Sequence, residues 1–181
     1  MKKILLLICI IGLFTPATLH AQDRANVFRH GKLDNGLTYY VRHTSMQPGK
    51  ADFYLVQNVG ALMEEDNQNG LAHFLEHMAF NGSESFKEGI PNFLKRQGVT
   101  RFNAQTGQDE TVYYMTAIPT NDTKLLDSCL LVMKDWSGFL LLKPDEIDKE
   151  RGVIREERRM RRNLGARLKE QSDPLVFNNS K

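Results

Sequence analysis

Short runs of alternating apolar and polar residues predict strands in two parts of the chain. Asn35-Gly36 is a turn signal, and the β-favouring run Thr38-Tyr39-Tyr40-Val41 follows it directly. Phe53, Leu55 and Val59 alternate with polar neighbours before Gly60 ends the pattern. Four strands are predicted in all, at about residues 37–43, 52–59, 101–106 and 111–118.

Apolar residues at helical spacing predict four helices between and after these strands. They cover about residues 69–80, 86–97, a segment that opens at 119–121 and reaches 136, and 144–169. Asn69 is the predicted cap of the first helix. Pro91 should kink the second helix or shift its start. In the third, Leu125, Cys129, Leu130, Met133 and Trp136 share the apolar pattern.

The resulting order, β-β-α-α-β-β-α-α, indicates the fold class. Consecutive strands that are joined by short turns favour antiparallel pairing, with the helices packed on the sheet. We therefore expect an α+β domain with an antiparallel sheet.

The first residues have the composition of an export signal. Lys2 and Lys3 precede an apolar run from Ile4 to Phe14, and Ala21 offers a small residue at a cleavage point. The run is too short for a membrane anchor, which needs roughly 20 apolar residues. We predict a signal peptide at residues 1–21, one domain at 22–181, and an exported protein, periplasmic or secreted, without a membrane span.

Charge and cysteine content narrow the possible partners. Without Lys2 and Lys3 the formal net charge falls from +2 to 0, which gives no indication of a nucleic-acid partner. Loss of Cys9 with the signal leaves Cys129 as the one cysteine, so we expect a small core residue rather than a disulfide.

The motif His73-Phe74-Leu75-Glu76-His77 carries the clearest chemical signal. On a helix, His73 and His77 lie one turn apart and can share one metal ion. Neutral imidazole suits zinc, and Glu76 beside them is close enough to act on water at the metal. The competing interpretation is a polar helix face with incidental histidines.

A catalytic zinc site needs a third protein ligand, and the last predicted helix offers acidic candidates. Glu150 and Glu157 are seven residues apart and point within about 20° of each other, whereas Glu156 points about 100° away. One inward acid could bind the metal while the other orients a ligand. The alternative is a solvated charged helix, because Glu156 and Glu157 stand within a run of arginines.

Taken together, these segments resemble the pitrilysin/insulinase family of metallopeptidases, the inverted zincins with an H-x-x-E-H motif. Three segments carry the resemblance, which extends from about Phe28 to Leu168: Gly70 to Gly82, Phe102 to Thr106 with the strand after it, and Glu150 to Glu157.

The resemblance implies a site and a reaction. By it, His73, His77 and Glu157 bind one Zn²⁺ per chain, Glu76 is the general base, and Glu150 supports a ligand. Asn103 and Ala104 would bind a substrate peptide as an added strand. The implied reaction is hydrolysis of peptide bonds in peptides or unfolded proteins of the cell envelope.

The resemblance also implies a second part. Family members pair such a domain with a homologous one that completes the active site, so we expect the chain to need a C-terminal homologous half or a partner chain. The alternative function is a non-catalytic peptide-binding or assembly subunit, or an inactive part of a peptidase.

Overall fold

A computed structural model describes residues 28–176 of the 181-residue chain. The predicted signal peptide and residues 177–181 lie outside the described residues. The chain divides into two compact units, of which the first ends at Met46 and the second begins at Gln47. In the first unit, β1 (Phe28–Lys32) pairs antiparallel with β2 (Thr38–Arg42) across a turn at Gly36, whose φ of 90° suits glycine. The sequence predicted β2 but not β1.

The second unit is built on a three-stranded antiparallel sheet. Its strands are β3 (Lys50–Gln57), β4 (Phe102–Thr106) and β5 (Thr111–Pro119), in the order β3-β5-β4. Each corresponds to a predicted strand within about two residues, and β4 and β5 form the expected hairpin. Within the described sheet, β4 therefore has one edge that pairs with no other strand.

Two of the described helices lie between β3 and β4 in sequence, and three follow β5. The described residues form α1 (Leu71–Met78), α2 (Ile90–Arg96), α3 (Thr123–Trp136), α4 (Pro144–Arg161) and α5 (Leu164–Val176), with 3₁₀ turns at Ala61–Met63 and Asp66–Gln68. The second helix begins at Ile90 rather than Phe86, because Gly89 has a φ of 92° and Pro91 occupies the first turn. Of the two effects expected of Pro91, a kink in the helix or a shifted start, the structure shows the shifted start.

The prediction of one helix over residues 144–169 is wrong. Arg162 leaves the helical conformation with a ψ of 64°, and a new helix starts at Leu164. Asn163 accepts a hydrogen bond on its side-chain oxygen from the Ala166 backbone N–H at 3.0 Å, as a helix cap does.

The predicted cap of the metal-motif helix is also wrong. Gly70, with a φ of 90°, precedes α1, and Asn69 makes no cap. Instead the carboxylate of Glu64 accepts hydrogen bonds from the backbone N–H groups of Gly70 and Ala72, both at 2.7 Å. A carboxylate at this end of the helix satisfies free donors and favours the helix dipole.

One face of the sheet packs against α1, α2 and α3 to form the core. Its largest fully buried side chains include Trp136, Met78, Ile90, Leu94 and Met115. Cys129 is fully buried, as predicted, whereas Leu130 is 56% exposed and does not belong to the core. The Trp136 indole donates to the Ala79 carbonyl at 3.0 Å, which fixes the end of α1 on α3.

The architecture is the α+β arrangement expected from the sequence. None of the described helices combines the length and apolar character that crossing a bilayer requires.

Candidate metal centre

Helix α1 brings the two motif histidines together. One turn of helix separates His73 from His77, and their Nε2 atoms lie 3.2 Å apart. Both rings are half-buried and line a cleft. Two ring nitrogens that face each other at this distance need a shared proton or a cation between them.

Helix α4 brings a carboxylate to the same point. Glu157 Oε2 lies 3.2 Å from His77 Nε2 and 3.7 Å from His73 Nε2. Glu156 lies on the outer side of the helix, 61% exposed, and accepts a hydrogen bond from Arg159 at 2.9 Å. Of the two candidates left open by the sequence, the structure places Glu157 and not Glu156 beside the histidines.

The geometry of these three atoms fits a tetrahedral zinc ion. Zinc-to-ligand distances near 2.0–2.1 Å place the ligand atoms of a tetrahedron about 3.3–3.4 Å from one another. The three observed separations of 3.2, 3.2 and 3.7 Å lie around that value. In addition, Glu157 Oε2 is buried and has no hydrogen-bond partner, so this oxygen is available to bind a metal ion. The three residues also form the one cluster of potential metal-binding side chains found in residues 28–176.

Glu150 lies on the far side of His77. Its Oε1 is 2.7 Å from His77 Nδ1, so the ring donates its Nδ1 proton to the carboxylate. The Nε2 lone pair then points towards His73 and Glu157, which is the tautomer required for metal binding. The seven-residue spacing of Glu150 and Glu157 places both on one side of α4, as predicted.

Glu76 lines the same cleft from α1 but does not belong to the cluster of His73, His77 and Glu157. It is 8% exposed, and its Oε2 accepts a hydrogen bond from Thr106 Oγ1 at 2.7 Å. Burial, together with the negative charge of Glu76, raises the pKa of Tyr113 to about 12, so this phenol stays protonated at neutral pH.

The cleft over these residues has a volume of about 310 Å³ and is bounded on one side by β4. Asn103 and Ala104, the predicted substrate-binding residues, both line it. The backbone amide of Thr116 donates to Arg101 and that of Gly107 to Glu110, at 2.8 and 2.7 Å.

Those two hydrogen-bonded pairs fix which backbone groups of β4 are free. Because such pairs alternate along an antiparallel ladder, residues 103 and 105 also bond to β5. The N–H and C=O groups of residues 102, 104 and 106 therefore point to the open edge. Ala104 presents free hydrogen-bonding groups to the cleft, as the addition of a peptide strand requires.

Three further residues of the cleft, Gln105, Thr106 and Arg161, had no role assigned from the sequence. Thr106 could have been found by strand alternation, which places it on the same face as Ala104. Arg161, one turn after Glu157 on α4, forms an ion pair with Glu157 Oε1 and lines the cleft. The i, i+4 spacing of Glu157 and Arg161 is the sequence signal that would have indicated this ion pair.

Comparison with known proteins decides the family. A family model described as insulinase, peptidase family M16, matches residues 34–170. The chain belongs to this insulinase family. The resemblance seen in the sequence is thereby confirmed, and the M16 match includes every residue of the cluster described above.

Two curated relatives of the chain are named as zinc proteases. The "Zinc protease PQQL-like" of Arabidopsis thaliana is 34% identical over 156 residues, which make up 84% of this chain and 16% of that protein. The "Probable zinc protease PqqL" of Haemophilus influenzae is 38% identical over 137 residues, or 74% of this chain and 15% of that protein.

A solved structure shares the fold. The crystal structure of the first half of the periplasmic protease PqqL from Escherichia coli matches with a TM-score of 0.76 and 32% identity, over 83% of this chain and 33% of that one. The chain thus spans about a sixth of the length of the two curated relatives.

Proposed function

We propose that this chain supplies the zinc-binding part of a peptidase active site, with one Zn²⁺ held by His73, His77 and Glu157. The observation that carries the proposal is the convergence of two Nε2 atoms and one buried, unpartnered carboxylate oxygen at tetrahedral ligand spacing. Nitrogen and oxygen donors in this number are typical of catalytic zinc sites, which keep one position open. The family's name as a peptidase and the names of its relatives support the choice of metal.

Zinc, when bound, would polarise the peptide carbonyl and lower the pKa of the attacking water. The residues of the chain would do the rest. Glu76 would take the proton of the water and deliver it to the leaving amine, since it faces the cleft beside the histidines without being a ligand. Glu150 would hold His77 in the metal-binding tautomer.

The substrate class follows from the open edge of β4. A peptide in extended conformation would pair with the free N–H and C=O groups of Ala104, while Asn103 would contact it from the same strand. Recognition through the backbone selects for extended chains more than for particular side chains. We therefore propose peptides or unfolded proteins as substrates.

We further propose that the protein acts in the cell envelope and needs a homologous second half or a partner chain. The predicted signal at residues 1–21 supports export, and the similar protease of Escherichia coli is periplasmic. The need for a second half is supported by the extent of the match, since the chain aligns within the first half of that longer protease.

The test is cleavage of an unfolded protein by the zinc-loaded chain, alone and mixed with the second half of a related protease. The Glu76→Gln variant should retain zinc and lose cleavage, because only proton transfer is removed. Glu156→Gln is the matched control, and it should cleave like the parent. If Glu76→Gln cleaves as fast as the parent, the proposed mechanism is wrong. Tight peptide binding without cleavage under both conditions would instead favour the non-catalytic binding subunit.

A further inference from the structure

Thr106 links the strand that borders the cleft to the side chain proposed as the general base. Its Oγ1 donates to Glu76 Oε2 at 2.7 Å, a distance typical of a strong hydrogen bond to a carboxylate. Glu76 is 8% exposed and the bond is partly buried, which strengthens it and holds the carboxylate in one orientation.

The position of Thr106 in β4 also brings its main chain to the open edge of the sheet. Its side chain lies on the same face of the strand as that of the buried Ala104, towards α1. Its backbone N–H and C=O lie among the groups that point to the open edge, by the alternation described above. The main chain of Thr106 therefore faces the edge where a peptide strand would add, while its hydroxyl faces Glu76.

We propose that Thr106 is a positioning residue that fixes the carboxylate of Glu76 relative to a peptide bound along β4. The hydroxyl occupies Oε2, which leaves Oε1 as the oxygen that accepts the proton. The catalytic consequence rests on the proposed peptidase function, whereas the orientation of Glu76 does not. A small displacement of a catalytic group is enough to slow a reaction strongly, so the rate should depend on this hydroxyl.

The alternative is that Thr106 has only a structural role at the end of a hairpin. Its cross-strand neighbour Thr111 shows what such a role looks like. Thr111 is buried, pairs with Thr106 across β4 and β5, and donates Oγ1 to the Val59 carbonyl at 2.8 Å. It has no link to Glu76, which makes Thr111→Val a matched control for the loss of a buried hydroxyl.

Two variants separate the roles. Thr106→Val keeps the branched shape and strand preference of the side chain and removes the donor. Thr106→Ser keeps the donor. The first measurement uses the metal-free chain: the ¹³C resonance of the Glu76 carboxyl carbon, assigned with Glu76→Gln. It should move in Thr106→Val and stay at the parent position in Thr106→Ser and Thr111→Val.

The second measurement is cleavage by the zinc-loaded protein under the conditions in which the parent is active. Thr106→Val should lower kcat by roughly tenfold to a hundredfold, with KM within about twofold and zinc affinity unchanged. Thr106→Ser should restore kcat, and Thr111→Val should leave it at the parent value while lowering stability.

The outcomes distinguish this inference from the proposed function. If the parent cleaves nothing, either alone or mixed with the second half of a related protease, the proposed function fails for this chain, and the carbon resonance alone decides whether Thr106 holds Glu76. An unmoved resonance in Thr106→Val, a Ser variant that behaves like Val, or a loss of zinc affinity in Thr106→Val would each overturn the inference.

Discussion

Glu150 Oε1 lies 2.7 Å from Nδ1 of His77, on the side of the ring opposite Glu157. The contact fixes both the orientation of the imidazole and the nitrogen that carries its proton. Removal of this carboxylate in Glu150→Ala should weaken zinc binding by roughly tenfold to a hundredfold, because His77 then samples other orientations and the second tautomer. Competition with a chelator of known zinc affinity measures the change.

The matched control is Glu156→Ala, which removes an acid from the exposed side of the same helix. It should leave zinc affinity at the parent value. Equal losses in the two variants would mean that zinc affinity depends on the overall charge of α4 and not on the contact with His77.

Glu64 stabilises the start of α1 from outside the helix. Its carboxylate accepts from the backbone of Gly70 and Ala72, so Glu64→Ala leaves two donors of α1 without this partner. The expected loss is about 1–2 kcal/mol of unfolding free energy, measured by urea unfolding of the metal-free protein.

Glu88→Ala serves as the comparison, since Glu88 is highly exposed and its ion pair with Arg96 lies on the surface. We expect a change within about 0.5 kcal/mol. A Glu64 variant no less stable than this control would show that the cap has no energetic role.

Asp135 anchors the loop that follows α1. It is fully buried and accepts from Ser83 Oγ and the Ser85 backbone N–H, both at 2.7 Å, and from Ser85 Oγ at 3.1 Å. Asp135→Ala should destabilise the fold by about 3 kcal/mol or more, because the buried Ser83 hydroxyl and the two Ser85 donors lose a buried, charged acceptor. Thermal and urea unfolding check the value.

Asp127→Ala, at an exposed position of the same helix, should unfold like the parent. A similar effect of both variants would contradict this account.

The buried thiol of Cys129 gives a pH dependence of stability. Burial raises its pKa from 9.0 to about 11, so the unfolded chain loses this proton first as the pH rises. The native state then binds more protons than the unfolded state between these values, and stability must fall with rising pH in that window. Urea unfolding across the window should show a smaller decrease for Cys129→Ala. In the native parent without residues 1–21, which contain Cys9, a thiol reagent near neutral pH should react with Cys129 only after unfolding, and rapid labelling of the folded protein would contradict the burial.

The parts of the site that the sequence predicted depend on local spacing. His73 and His77 are one helical turn apart, and Glu150 and Glu157 are two turns apart, so helical geometry alone places each pair on one side of its helix. No local spacing predicts that α1 and α4 lie against each other. The family resemblance supplied that link, and the distances between Glu157 and the two histidines agree with it.

The parts that were missed depend on contacts between distant residues or on weak end signals. The bond from Thr106 to Glu76 joins a strand to a helix thirty residues away, and no periodicity predicts it. Glu64 caps α1 from six residues before Gly70, whereas cap preferences apply to the residue directly before the helix. The break before α5 did have a local signal in Asn163, but the helix-favouring residues around it concealed the boundary.

The central claim is that His73, His77 and Glu157 together bind one zinc ion, and X-ray absorption of the zinc-loaded chain tests it most directly. The account predicts one zinc per chain with two imidazole nitrogens and at least one carboxylate oxygen near 2.0–2.1 Å. In Glu157→Gln zinc affinity should fall sharply, whereas Glu156→Gln and Glu76→Gln should give the parent spectrum and stoichiometry. A parent-like zinc site in Glu157→Gln, or a spectrum without two imidazoles, would contradict the claim.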